Sequence, residues 1–197
     1  MGKSKHIKQI LELFDKSPVV DLRSIERIIG VKKQDNNYAK LLVSNLVIQG
    51  KIKKIIKGKY SKYDDHSLSV MCFNPAYLGL QSALSFHGLW DQASVPVIIT
   101  SVKVRSGTRD IFGSNVMIRR TDKKFMFGFE YVLDGDFYLP YSGIEKTFID
   151  MVVFKQNISD DVLMNFRKRI NKKKLVKYLT AYSKKTRDLI MKLYIGK

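Results

Sequence analysis

The chain has 197 residues, 45% of them apolar, and a formal net charge of +18. That length holds one large or two small domains, and that apolar share buries a core, which excludes a chain disordered by composition. The single Cys72 excludes an internal disulfide, and neither an apolar leader after MGKSKHIK nor an apolar run of about 18 residues is present. A cytoplasmic protein without signal peptide or membrane span is therefore expected.

The charge is unevenly spread. Residues 1–65 carry 15 basic and 7 acidic side chains, residues 66–155 carry 9 and 8, and residues 156–197 carry 12 and 3. Two basic ends flanking a nearly neutral middle point to a polyanionic partner, most often nucleic acid. A general lysine enrichment of the kind seen in thermophilic proteins usually brings glutamate with it, and glutamate is scarce here.

From His6 to Phe14, Ile7, Ile10, Leu11 and Phe14 fall on one helical face, and Asp15-Lys16-Ser17-Pro18 closes the helix. Asp21 is placed to cap a second helix whose apolar positions are Ile25, Ile28 and Ile29, ending at Gly30. After a short turn, Asp35 is placed to cap a third helix that runs to about Gln49 and stops at Gly50, with Tyr38, Leu41, Leu42 and Leu46 as its expected buried stripe. Lys51–Ile56 and Lys59–Tyr63, joined at Lys57-Gly58, read as a two-stranded hairpin with a cationic tip. Helix, helix, turn, helix and hairpin is the order of a winged helix-turn-helix.

In such a unit the start of the third helix meets base edges, and Asn or Gln amides pair with adenine. Gln34, Asn36, Asn37, Lys40 and Ser44 lie off the expected apolar stripe and are candidate DNA-reading residues. Lys53, Lys54, Lys57, Lys59 and Lys62 of the hairpin suit contact with phosphates or the minor groove, although lysines also serve to keep strand edges from aggregating.

Asp64–Ser69 is polar and reads as a linker. Beyond it, Tyr77–His87 is expected to be a helix and Val97–Val104 a buried strand. Arg109–Phe112 with Asn115–Arg120, and Phe125–Leu133 with Phe137–Tyr141, read as hairpins across Gly113-Ser114 and Asp134-Gly135-Asp136. Ser142 opens a helix with Ile144, Phe148, Ile149, Val152 and Val153 apolar. Three tail helices follow, the first capped by Ser159, with Asp160 and Asp161 in its first turn and Arg167-Lys168-Arg169 in its last, as the helix dipole favours.

Three stretches carry a family resemblance: GKIKKIIKGKY, with Gly50, Ile52, Gly58 and Tyr60; YLGLQSALSFHGLWDQ, from Tyr77 to Gln92; and GIEKTFIDMVVF, from Gly143 to Phe154. Over about residues 5–195 the chain resembles the AbiEi-type antitoxin family of type IV toxin–antitoxin systems. It departs from that family at Gly143-Ile144, where Thr-Pro or Ser-Pro is usual, and in having lysines for arginines in the wing. The resemblance implies a winged helix that represses its own operon by binding operator DNA, and a C-terminal part that counters a nucleotidyltransferase toxin without a stable complex. Some relatives are stand-alone regulators.

Chemistry is sparse by comparison. His6, His66, His87 and Cys72 lack metal-ligand spacing, so no metal or cofactor is expected. A metal-dependent nuclease is the enzyme alternative, through Asp110 and Glu130, but no lysine follows Glu130 at the spacing such a site wants. The expected architecture is α+β in two domains, not an enzyme: a winged helix over 1–66, and a C-terminal domain over 67–197 made of a small antiparallel-sheet α+β module (67–155) and a basic helical tail (156–197). Arg167, Lys168, Lys172, Lys173, Lys174 and Lys177 of that tail are either a solvated face, an extension of the DNA-binding surface or a surface for the toxin or its RNA substrate.

Overall fold

A computed structural model describes residues 2–30, 36–92 and 94–196. The chain divides into two compact units. The first comprises Met1–Cys72 with Asp110–Ser114, and the second Phe73–Arg109 with Asn115–Lys197.

The first unit contains α1 (Gly2–Lys16), β1 (Val20–Asp21), α2 (Leu22–Ile28), α3 (Asn36–Ile48), β2 (Lys53–Ile56) and β3 (Lys59–Ser61). The Asp21 carboxylate accepts from Ser24 N at 3.0 Å and caps α2 as expected, which satisfies one orphan donor of its first turn. The expected cap Asp35 lies outside the described residues, as does Gln34. Ile10, Phe14, Ile25, Leu42, Leu46 and Ile52 form the core between the three helices and the hairpin. The buried face of α3 differs from expectation. Ala39, Leu42, Val43 and Leu46 are buried, whereas Leu41 is 52% exposed and Tyr38 half-buried. Apolar residues occur nearly all round this helix, so spacing alone selects its face poorly. On α2 likewise, only Ile25 of the three expected isoleucines is fully buried, and Ile28 is exposed.

The strands pair antiparallel in the order β1-β3-β2, with Val20 opposite Tyr60 and Lys54 opposite Tyr60 on the other side. A bulge between Lys54 and Ile56 bends β2. The expected linker at Asp64–Ser69 is not one. A 3₁₀ helix spans His66–Phe73, with Leu68, Ser69 and Val70 fully buried, and the division between units falls after Cys72 instead of at residue 66.

The second unit is built on β4 (Ala76–Leu78), β5 (Val97–Thr100), β6 (Gly107–Ile111), β7 (Ser114–Arg120), β8 (Phe129–Asp134) and β9 (Phe137–Ser142), in the order β6-β7-β5-β4-β9-β8, with the tip of the β6–β7 hairpin counted in the first unit. Its helices are α4 (Gln81–Phe86), α5 (Ile144–Val153), α6 (Asp160–Arg169), α7 (Lys172–Leu179) and α8 (Lys184–Ile195). The sheet is mixed, not antiparallel: β5 runs parallel to β7, and β4 parallel to β9. The α+β class stands.

Two boundaries also differ from expectation. Tyr77–His87 is not one helix, because Ala76–Leu78 is a central strand buried on both faces, and such a run has no alternation to betray it. At Gly79 a Cβ would stand 2.6 Å from Ile99 Cδ1 and 3.2 Å from the Tyr77 ring, so a side chain there would push on the buried Ile99. The expected strand Val97–Val104 ends at Thr100. There the Thr100 hydroxyl donates to Phe73 O (2.7 Å) and accepts from Val102 N (3.1 Å), drawing the backbone out of the ladder.

The three tail helices are not an appendage. Val162, Phe166, Ile170, Leu175, Leu179 and Ile190 belong to the same core as Tyr77, Ile99 and Phe148, and the rings of Phe148 and Phe166 lie 5.0 Å apart.

Candidate nucleic-acid interface

Two backbone features hold the hairpin against the start of α2. Asp21 pairs with Lys59 in the strand ladder, and Leu22 N donates to Gly58 O at 2.8 Å. Gly58 has φ +79°, a left-handed conformation that a side chain resists, and this lets the turn close so tightly. Basic side chains from three elements thereby converge on one cleft of about 870 Å³. Arg23 and Arg27 come from α2, Lys40 from α3, and Lys54, Lys57 and Lys59 from the hairpin; Asp21, Glu26 and Tyr60 also line it. Asp21 is engaged in capping α2. Among the described residues, none of the six cations is in an ion pair. Burial raises the pKa of Tyr60 above the ordinary phenol value.

Not every residue expected at the interface lies there. Of the hairpin lysines, Lys53 pairs with Asp64 and Lys62 with Asp15, each at 2.5 Å, and neither lines the cleft. Their charge is already partly compensated. Asn37 and Ser44 are exposed on α3 but outside the cleft lining. Asn36 begins α3. Arg23, Arg27 and Tyr60 were not among the expected residues. The two arginines sit four apart on α2, off the Ile25 face, a spacing that puts them side by side on a helix.

The tail cations divide in the same way. Lys174 Nζ lies 3.3 Å from the buried Glu145 carboxylate. Arg167 donates to Leu193 O (2.8 Å) and Tyr194 O (3.0 Å), capping the last turn of α8. Lys168, Lys172, Lys173 and Lys177 are exposed.

The stretches that carry the family resemblance turn inward. Ser82 Oγ accepts from Val97 N at 2.8 Å, and the His87 ring is 2.7 Å from Ser142 O through Nε2. Burial is the main reason the His87 pKa is lowered, so the neutral ring with Nε2–H donating fits this contact. In the third stretch Glu145, Lys146, Thr147 and Asp150 are all buried. Among the described residues, no group of three or more His, Cys, Asp or Glu side chains is arranged to hold a metal ion. Asp110 on β6 and Glu130 on β8 stand at opposite ends of the strand order. No described helix is long and apolar enough to cross a membrane.

No protein-family model and no curated protein sequence matches the chain. Its fold is similar to the crystal structure of the RV2827C protein from Mycobacterium tuberculosis, with a TM-score of 0.62 at 14% identity over 99% of this chain and 76% of that one.

Proposed function

We propose that the first unit is a winged helix-turn-helix and that the protein binds double-stranded operator DNA as a transcriptional autorepressor. In this reading α3 is the reading helix and the β2–β3 hairpin is the wing. The observation that carries it is the convergence of Arg23, Arg27, Lys40, Lys54, Lys57 and Lys59 on one cleft. Among the described residues none of these six cations is in an ion pair, so they repel one another, and a phosphodiester backbone offsets that repulsion while releasing its own counterions. The exposed Asn37, Lys40 and Ser44 are available on α3 for base edges, and an Asn amide suits adenine. Phosphate contacts set affinity and register, and the α3 side chains set sequence preference.

The resemblance to AbiEi-type antitoxins adds the biological setting: repression of the protein's own operon and antagonism of a nucleotidyltransferase toxin. Footprinting on the DNA upstream of its own gene tests the DNA reading. One or two protected sites are expected, with affinity well above that for scrambled competitor; equal affinity for the two overturns it. Co-expression with a nucleotidyltransferase encoded beside the gene tests the antitoxin reading, with restored growth as the expected result.

A further inference from the structure

Proteins manage the exposed edges of their sheets, because an unpaired row of backbone groups is a template for another strand. Three of the four edges here are managed. β1 has two residues, β2 carries Lys53 and Lys54 and a bulge, and β6 carries the exposed Arg109. The fourth is different. Among the described residues β8 is the last strand of its sheet and pairs on one side only, with β9, through six consecutive residue pairs without a bulge. It contains no lysine, arginine or proline, and residues 125–145 hold none of the chain's 36 lysines and arginines. On one face of the strand the exposed side chains are apolar and large. Tyr131 is 59% exposed, Leu133 58%, and Tyr138, directly across from Leu133 on β9, 64%. A contiguous exposed group of this kind is a mark of an interaction site. The remaining charges along the ribbon are all acidic: Glu130, Asp134 and Asp136. Lys174, engaged with Glu145, is within electrostatic reach of Glu130.

We infer that the free edge of β8 is a docking site for an extended segment of a partner protein that alternates basic and apolar side chains. The segment adds to the sheet as a seventh strand. Its backbone takes the unpaired groups of β8, its apolar side chains cover Tyr131 and Leu133, and its basic ones meet the acidic groups of the ribbon. A second copy of this chain is the poorer occupant. Antiparallel self-pairing centred on Val132 sets Glu130 against Asp134 of the other copy, twice over, and like charges directly opposite are destabilising.

The test uses the full-length protein and a synthetic, end-capped ten-residue peptide alternating Arg and Val, with a Glu/Val peptide as control. Calorimetry or fluorescence anisotropy is expected to detect the Arg/Val peptide and not the control. Binding should weaken with salt. Tyr131→Lys and Leu133→Lys, both at exposed positions, should weaken it by about tenfold or more. The Glu130→Gln/Asp136→Asn double variant should weaken it severalfold. Circular dichroism of each variant separates loss of the edge from loss of the fold. Equal binding of both peptides, or binding unchanged in both lysine variants, overturns the inference. So does a concentration-dependent dimer by light scattering that Leu133→Lys abolishes, since the occupant would then be a second copy.

Discussion

Lys146 and Asp150, one turn apart on α5, form an ion pair sealed from solvent, with side chains 1% and 3% exposed. Each has a second partner. Lys146 Nζ donates to the Tyr182 hydroxyl at 3.1 Å, and the Tyr77 hydroxyl donates to Asp150 Oδ2 at 2.8 Å. The rings of Tyr77, Phe127 and Tyr182 surround the ammonium, their centroids 5.3–5.9 Å from Nζ. Burial lowers the Lys146 pKa and raises that of Asp150, so each ion is costly without the other. Lys146→Met should destabilise the protein by about 3–5 kcal/mol, because it strands a buried carboxylate, while Lys146→Met combined with Asp150→Leu should recover much of that loss. Thermal unfolding compares the two; a double variant no more stable than the single one refutes the account.

His87 predicts a pH dependence. Burial, outweighing the bond to Ser142 O, holds its folded pKa below the ordinary 6.5, and Arg169, which donates to His87 O, adds to the lowering. The unfolded chain therefore binds more protons between the lowered value and 6.5, and stability falls as pH drops through that window. Below the folded pKa this contribution levels off. His87→Gln should flatten that part of a plot of melting temperature against pH, and an unchanged slope would assign it to other groups.

Burial also pushes the Cys72 thiol up to about 12, with Lys59 opposing weakly. The thiolate is the reactive form, so alkylation by iodoacetamide at pH 8 should be slow in the native protein and fast in denaturant. Rapid native labelling would contradict this environment.

What could be read from the sequence was mostly local chemistry. Asp21 and Ser159 cap the helices they were expected to cap, Asp160 and Asp161 occupy the first turn of α6, and Gly58, Gly113 and Gly135 sit at the turns between paired strands. The order of the second sheet was not legible, because parallel pairs such as Val97 with Met117 join segments distant along the chain. Nor was the fate of individual hairpin lysines. Lys53 and Lys54 are neighbours in sequence, yet one meets Asp64 and the other the cleft, and only the fold separates them.

That separation is measurable. If the cleft binds DNA, each of Arg23, Arg27, Lys54 and Lys57 changed to Ala should lower the slope of log affinity against log salt by about 0.9 for each phosphate no longer neutralised. Lys53→Ala and Lys62→Ala, whose charges are shared with Asp64 and Asp15, should alter it less. Equal effects across both groups, measured by fluorescence anisotropy, would remove the cleft from the interface. Lys172→Ala, Lys173→Ala and Lys177→Ala test the tail without disturbing the Lys174–Glu145 pair.

Two glycines separate backbone strain from crowding. Both have positive φ, but a Cβ at Gly58 meets nothing within 4 Å, whereas at Gly128 it would lie 2.9 Å from Tyr178 and 3.0 Å from Lys146 Cβ. Gly58→Ala should cost about 1–2 kcal/mol, the left-handed penalty alone. Gly128→Ala should cost more, since it pushes on the cage around Lys146. Chemical denaturation of both variants gives the order, and a larger loss at Gly58 would reverse the argument.

The unequal ends of the six-stranded sheet limit what the protein can build. A sheet with two receptive ends grows without stopping, each added copy exposing a fresh end for the next. Here Arg109 discourages addition at β6, while β8 is receptive. Growth from one end terminates after a single event, so even under conditions that favour strand addition the outcome is a finite complex and not a fibre.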